Sequence, residues 1–270
     1  MTNVLFIDVD GTLVTAKDGK QYIPPSALDG LAEVRRRGGR CYLCTGRSLA
    51  EARSIGDVPI DGIIGAAGGF VLDGQTMVFH RRLAETDVLA VETWLRDHGF
   101  AYYLESNAGL FFDEAYMAHA RVAWGFDGNP ALTAIVHSVE EANRTDVNKI
   151  SFRTEGSTTF AQVAEAFGER FYLVQSSFDK PDVCAGELSL PGINKATAID
   201  ELLAYLNLDE VRTFGFGDSM NDIEMLDRCD EAIVMGDARH AETLAHATYV
   251  TKPVLEDGIA HALRHFGLIS

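Results

Sequence analysis

A chain of 270 residues in which 47% are apolar can bury a substantial core, in one large domain or two unequal ones, and this excludes disorder as its main state. Its net charge of −17 argues against nucleic acid or an anionic membrane surface as partner. An anionic small substrate would need a local positive focus from a metal and a few cations.

The chain opens on VLFIDVDGT at residues 4–12. So short an apolar run, closed by glycine, predicts a strand buried on both faces, as in a parallel sheet. Residues i and i+2 share a side of a strand, so Asp8 and Asp10 are expected to converge where it runs out into Gly11-Thr12. Ligands of open α/β sheets bind outside the carboxyl ends of the strands. Two close carboxylates repel, and a hard divalent cation with oxygen ligands would relieve them. A turn whose aspartates cap the next element is the alternative.

Pro24-Pro25-Ser26 then opens a helix to about Arg37, with Leu28, Leu31 and Ala32 on one face and Gly38-Gly39 as its stop. RCYLCTGR (40–47) reads as a strand. Its Cys41 and Cys44, three apart, fall on opposite faces, and with no second cysteine pair they are expected to have neither a zinc nor a redox role. Ser48 and Glu51 form a capping-box signature. DGIIGA (61–66) is a further strand, and FVLDGQTMVFH (70–80) a hairpin turning at Asp73-Gly74.

From about residue 82 the texture changes. A helix over 85–98, with Val88, Val91, Trp94 and Leu95 at helical spacing, precedes the strands FAYYLE and LFFD, joined through Ser106–Gly109. VNKISFRT (147–154), a helix carrying Phe160, Val163, Ala164 and Phe167, and the strands RFYLVQ and DVCAGELSL complete an α+β module. Alternation then returns: helix 195–206, strand VRTFGFGD, helix 220–228, strand AIVM, helix 238–246, strand TYVT, helix 256–266. The fold class is α/β, a doubly wound, Rossmann-like parallel-sheet core at 1–82 and 188–270 carrying an inserted α+β cap at 83–187.

Polar groups gather at four junctions: Asp8/Asp10, Thr45, the loop into Lys195, and GFGDSMND with Asp218, Asn221 and Asp222. DVDGT, TGR, a lone lysine opening a helix and GDSMND, in that order, resemble the haloacid dehalogenase superfamily of phosphotransferases. The large α/β cap between the second and third motifs makes the chain similar to the Cof-type sugar-phosphatase branch. The resemblance implies an Mg²⁺-dependent phosphatase working through an aspartyl-phosphate. It implies Asp8 as nucleophile and Asp10 as acid and base, with Asp8, the Asp10 backbone carbonyl and Asp218 as metal ligands. Asp222 would support the metal's waters, while Thr45, Gly46, Lys195 and Asn221 would bind the phosphoryl group. Arg47 fits a structural ion pair as well as a ligand. One departure stands out: where the branch carries asparagine-glycine after the third strand, this chain has Ala67-Gly68.

Two other readings share parts of this pattern. A phosphomutase of the phosphomannomutase type would need clustered cap arginines, and the cap lacks them. Receiver-type signalling modules carry similar carboxylates on a middle strand of a domain about half as long. A catalytically silent binding module would not need the intact DxD. The expected partner is a small phosphorylated metabolite, its polar leaving group met by cap residues such as Tyr102, Tyr103, Glu105, Asn107, Lys149 and Lys180. No run of 18 apolar residues predicts a transmembrane helix, MTNVLFID lacks a basic n-region, and the four cysteines are scattered. A cytoplasmic monomer or weak homodimer is expected.

Overall fold

Thr2–Ile7 forms a strand in which Val4, Leu5, Phe6 and Ile7 are all fully buried, as an apolar run covered on both faces requires. In the computed structural model, which describes residues 1–123, 130–176 and 183–270, this strand lies inside an eight-stranded sheet. The order across it is Tyr249–Val250, Glu231–Val234, Val211–Gly217, Thr2–Ile7, Arg40–Cys44, Gly62–Gly65, Phe70–Asp73 and Thr76–His80. Pairing is parallel as far as Gly62–Gly65, and the last two strands add antiparallel as the expected hairpin.

Each face of the sheet has its own cover. On one, Val4, Phe6, Tyr42, Cys44, Ile64 and Val71 pack with Ala198, Ile199 and Leu202 of the helix Lys195–Leu206. That helix starts on a side-chain cap: Asn194 Oδ1 accepts from the Thr197 N–H at 2.8 Å, and Thr197 Oγ1 accepts from the Asn194 N–H at 3.1 Å. On the other face, the helix Pro25–Arg36 buries Ala27, Gly30, Leu31 and Val34. The expected stripe of Leu28, Leu31 and Ala32 is therefore displaced, with Leu28 and Ala32 only half-buried. Gly30 is the reason: a Cβ there would come within 2.8 Å of Leu263 in the helix Gly258–His265, so the two helices meet at the glycine. Cys41 Sγ lies 3.9 Å from the Leu31 carbonyl on this side, while Cys44 packs on the other. Burial pushes both thiols up, which leaves them inert.

The chain divides into two units, Met1–Gly46, Asp57–His80 and Asn194–Ser270 in one, Arg47–Gly56 and Arg81–Ile193 in the other. The second is built on a six-stranded sheet ordered Val136–Ser138, Leu110–Phe112, Ala101–Ser106, Val147–Thr154, Cys184–Ser189 and Tyr172–Gln175. Leu104, Ile150, Phe152 and Leu188 pack in one cluster with Val88, Val91 and Leu95 of the helix Glu85–Asp97 and Val163 of the helix Phe160–Phe167. Tyr103, Leu110 and Phe112 form a separate cluster with Tyr116 and Ala120 of the helix Glu114–Ala123. That helix, the strand Val136–Ser138 and a small hairpin of Thr15–Lys17 with Lys20–Tyr22 went unread in the sequence.

Tyr102 was an expected substrate contact, but it belongs to the unit's core. Its hydroxyl donates to Glu92 Oε1 at 3.0 Å, and Glu92, 1% exposed, also accepts from Arg144 Nε and Nη2 at 3.1 and 3.0 Å. Trp94 is only half-buried, and Glu92 lies on the helix's buried face. Lys180 lies outside the described residues. Among the described residues, no helix is long and apolar enough to cross a membrane.

Removing one partner of a buried ionic group strands the others. Glu92→Ala should therefore cost about 3 kcal/mol, read as a lower urea midpoint by tryptophan fluorescence. An unchanged midpoint would show that Arg144 and Tyr102 find water instead.

Candidate active site

The parallel register aligns three strand ends. Ile7 sits beside Phe216 on one side and Leu43 on the other. The Asp8 N–H donates to the Phe216 carbonyl at 3.0 Å, two residues before Asp218. Asp8 and Thr45 are buried at the carboxyl ends of adjacent strands, and Lys195 is buried at the first turn of its helix.

Asp8 and Asp10 do not stand side by side on a strand. The strand ends at Ile7, and the chain turns through Val9–Val14, with Gly11 N–H donating to the Val14 carbonyl at 2.9 Å. Asp8 is 5% exposed, whereas Asp10 is exposed. The carboxylates that gather are Asp8, Asp218 and Asp222, each offering an oxygen within 4.8 Å of the others.

Lys195 ties this group together. Its Nζ donates to Asp8 Oδ1 at 2.6 Å and to Asp222 Oδ1 at 2.5 Å, on a side chain only 2% exposed. The other Asp222 oxygen accepts from the Asp218 and Ser219 N–H groups at 3.0 and 3.1 Å. Both Asp222 oxygens are thus occupied in bracing Lys195 and the loop. Asp218 is held by Thr12, whose hydroxyl donates to its Oδ1 at 3.3 Å. Asn221 is exposed and its Oδ1 accepts from Ser219 Oγ at 2.6 Å.

Two glycines make the arrangement possible. At Gly11 (φ +89°) a Cβ would lie 2.3 Å from Asp218 Oδ2, so a side chain there would expel the carboxylate. At Gly217 it would lie 2.6 Å from the Asp222 Cβ. Gly11, Thr12, Gly217 and Ser219 were not singled out in the sequence, although they sit inside the two motifs that were.

Three carboxylates face one ammonium in a buried site, and their protonation shows the imbalance. Burial, opposed by Lys195 and reinforced by Asp222 and Asp218, raises Asp8 to about 7. Burial and then Asp222 raise Asp218 to about 6. Burial works against the Lys195 charge, but Asp8 and Asp222 outweigh it and hold the ammonium above its usual range. An all-oxygen donor set with surplus negative charge fits a hard cation such as Mg²⁺, and Asp8 and Asp218 are the carboxylates able to hold it.

Thr45 is fixed through its backbone. Its N–H donates to the Ile64 carbonyl at 2.9 Å, and its carbonyl accepts from Ala67 at 3.0 Å. Ala66 and Ala67 both adopt left-handed backbone, φ 48° and 52°. Gly68 (φ +103°) then lies against the Asn194 backbone, where a Cβ would be 2.2 Å from the carbonyl oxygen. This loop spaces Thr45 from the start of the Lys195 helix. Asparagine suits a left-handed position, so alanine at 67 keeps the bend while giving up a polar side chain.

Against this geometry, the chain compares with known proteins along nearly its whole length. The family model described as haloacid dehalogenase-like hydrolase matches residues 5–263. The Bacillus subtilis (strain 168) protein YkrA is 30% identical over 99% of both chains. The HMP-PP phosphatase of Serratia proteamaculans (strain 568) is 27% identical over 98% of this chain and 96% of its own. Among solved structures, the subclass IIB sugar phosphatase BT4131 superposes with a TM-score of 0.74 at 24% identity, covering all of both chains.

The raised carboxyls set a pH signature. The unfolded chain ionises these groups near 3.8 and the fold only near 6 and 7, so metal-free stability falls as pH climbs through that window. A cation competes with the retained protons. Millimolar Mg²⁺ should raise Tm by several degrees near pH 8 and by about nothing near pH 5; equal shifts at both would remove Asp8 and Asp218 as ligands. The left-handed Ala67 gives a second test. Ala67→Gly should add about 1 kcal/mol of stability, and a lowered Tm would show that the alanine is not strained.

Proposed function

Since this chain belongs to the haloacid dehalogenase-like hydrolase family and is a phosphoric monoester hydrolase, we propose that it is an Mg²⁺-dependent phosphatase acting on a small phosphorylated metabolite in the cytoplasm, through an aspartyl-phosphate on Asp8. The observation that carries this reading is the Lys195 ammonium shared between Asp8 and Asp222, next to Asp218, at the strand ends. A sugar phosphate is the substrate class proposed, and the Arg81–Ile193 stretch is assigned the selection of the leaving group.

An Asp8 oxygen attacks phosphorus in line as the bond to the leaving oxygen breaks. Asp10, exposed where Asp8 is buried, gives a proton to that oxygen. A water then attacks the phosphorus and passes its proton to Asp10. The bond from Asp8 to phosphorus breaks, releasing inorganic phosphate and restoring both carboxyls. Lys195 favours the Asp8 anion in a site whose burial favours protonation.

Thr45, Gly46, Lys195 and Asn221 are assigned to the non-bridging oxygens, and Asp8, Asp218 and the Asp10 carbonyl to the metal, with Asp222 behind them. Mg²⁺ would supply charge neutralisation for the phosphoryl oxygens, which the acidic site cannot supply itself.

The roles of the first two aspartates separate kinetically. Asp8→Asn should lower turnover by about 10⁴-fold or more and abolish covalent phosphate. Asp10→Asn should cost about 10²–10⁴-fold on an alkyl phosphate but less on p-nitrophenyl phosphate, whose leaving group needs no proton. If the Asp8 variant keeps more aryl phosphatase activity than the Asp10 variant, the roles are reversed. Isomerised sugar phosphate as the main product would point to a mutase instead.

A further inference from the structure

We propose that the groove between the helix Pro25–Arg36 and residues 258–270 is a second binding site of the core unit, taking the phosphate of a small, hydroxyl-bearing phosphate ester on Arg36 and Arg264. The site is separate from the buried carboxylates and does not depend on the reaction assigned to them.

RRRGGR, residues 35–40, places four of the chain's 23 lysines and arginines within six positions of a protein whose net charge is −17. Three of the four are occupied nearby. Arg35 pairs with Asp61 at 2.9 Å, Arg37 with Glu33 and the Ser270 hydroxyl, and Arg40 with Asp73 at 3.6 Å. Arg36 makes no hydrogen bond or ion pair among the described residues, and neither does Arg264, in the last turn of the helix Gly258–His265. Both line one groove of about 440 Å³, a volume that suits a small molecule.

Gly30, Ala32 and Ile269 give the groove its small and apolar surface, and two carboxylates, Glu33 and Asp29, also line it. Glu33 is already served, since its Oε1 accepts from the Ser270 N–H at 3.2 Å and from Arg37. Asp29 lies seven residues before Arg36, about 10 Å along the helix. The groove therefore offers guanidinium donors at one end and a carboxylate acceptor at the other. A phosphate monoester meets the first with its oxygens, and hydroxyls along its body meet the second. A second anionic group would be set against Asp29, and an uncharged sugar would leave both guanidiniums to water.

Cations in the last turn of a helix are favoured by its dipole alone, by about 0.3–1 kcal/mol. That accounts for Arg36 or Arg264 singly, but not for two guanidiniums from different helices lining the same groove. The arginine end also lies away from the catalytic edge of the sheet. Gly39, three residues beyond Arg36, packs where a Cβ would be 3.3 Å from the Asn3 carbonyl oxygen, at the start of the strand Thr2–Ile7. Asp8 follows the other end of that strand, five residues and about 16 Å from Asn3.

The test follows two methyl groups of the full chain by NMR, Ile269 in the groove and Ile7 beside Asp8, with EDTA present so that no ester is turned over. Ribose 5-phosphate should shift Ile269 saturably, and ribose should not. Arg36→Gln and Arg264→Gln should each weaken that response by about tenfold. Both should leave Tm within about two degrees, turnover of p-nitrophenyl phosphate with Mg²⁺ unchanged, and any response of Ile7 as in the wild type. An Ile269 response that is absent, equal for ribose, or unaltered in both variants would overturn the proposal. Ile269 shifts that follow protein concentration without added ligand would overturn it too, by assigning the groove to a second copy of the chain. The readout needs no turnover, so a chain that hydrolyses nothing still tests the groove. One that hydrolyses phosphate esters but leaves Ile269 unmoved keeps the phosphatase reading and loses this site.

Discussion

One ammonium ties together the carboxylates at the carboxyl ends of the core sheet's strands. Lys195 is buried and shared between Asp8 and Asp222, residues 187 and 27 positions away in the chain. Without it, Asp8, Asp218 and Asp222 would be three carboxylates crowded at buried strand ends, and protonation or separation would be the only relief. With it, the loop carrying Asp218 and Ser219 hangs from the second oxygen of Asp222, and the helix Lys195–Leu206 is anchored by its first residue. The neutralisation is incomplete, and the surplus negative charge is what makes the site receptive to a hard cation.

Much of this was legible in the sequence, for a physical reason. Buried parallel strands read as continuous apolar runs, and the polar residues that interrupt them stand out at the ends. Asp8, Thr45, Asp218 and Asp222 were found in that way, and the helix Lys195–Leu206 was read to the residue through its spacing. Family resemblance assigned the members roles that periodicity could not. What escaped depends on tertiary contact. The strand stops at Ile7, so the rule pairing i with i+2 did not reach Asp10. Gly11 and Gly217 matter because of carboxylates far away or across a turn, and spacing does not report such close approaches. In the helix Pro25–Arg36, the buried stripe moved by one position because a glycine met Leu263.

The second unit was harder to read. Its aromatic residues alternate along a strand whose two faces both pack on apolar clusters, so Tyr102 and Tyr103 look alike in sequence but belong to different cores. Glu92 lies on a helical face otherwise apolar and went unread as a buried ion, because its partner Arg144 lies 52 residues on. Glu105 and Lys149 were read as contacts to the leaving group, and their pairing across neighbouring strands was not foreseen. That one Glu105 oxygen has no partner among the described residues follows from register and distance alone.

The strand at the centre of the core sheet, Thr2–Ile7, has Val211–Gly217 as one neighbour. During synthesis from the N-terminus, one edge of that strand stays unpaired until more than 200 further residues have been made. The Arg81–Ile193 stretch, with Arg47–Gly56 made earlier still, is complete before the remainder of the core emerges. Contacts this distant in sequence close slowly, and an open apolar strand edge invites association with other chains in the interval. The same wiring that brings Lys195 to Asp8 therefore makes the nascent chain, rather than the finished fold, the stage most dependent on chaperone protection.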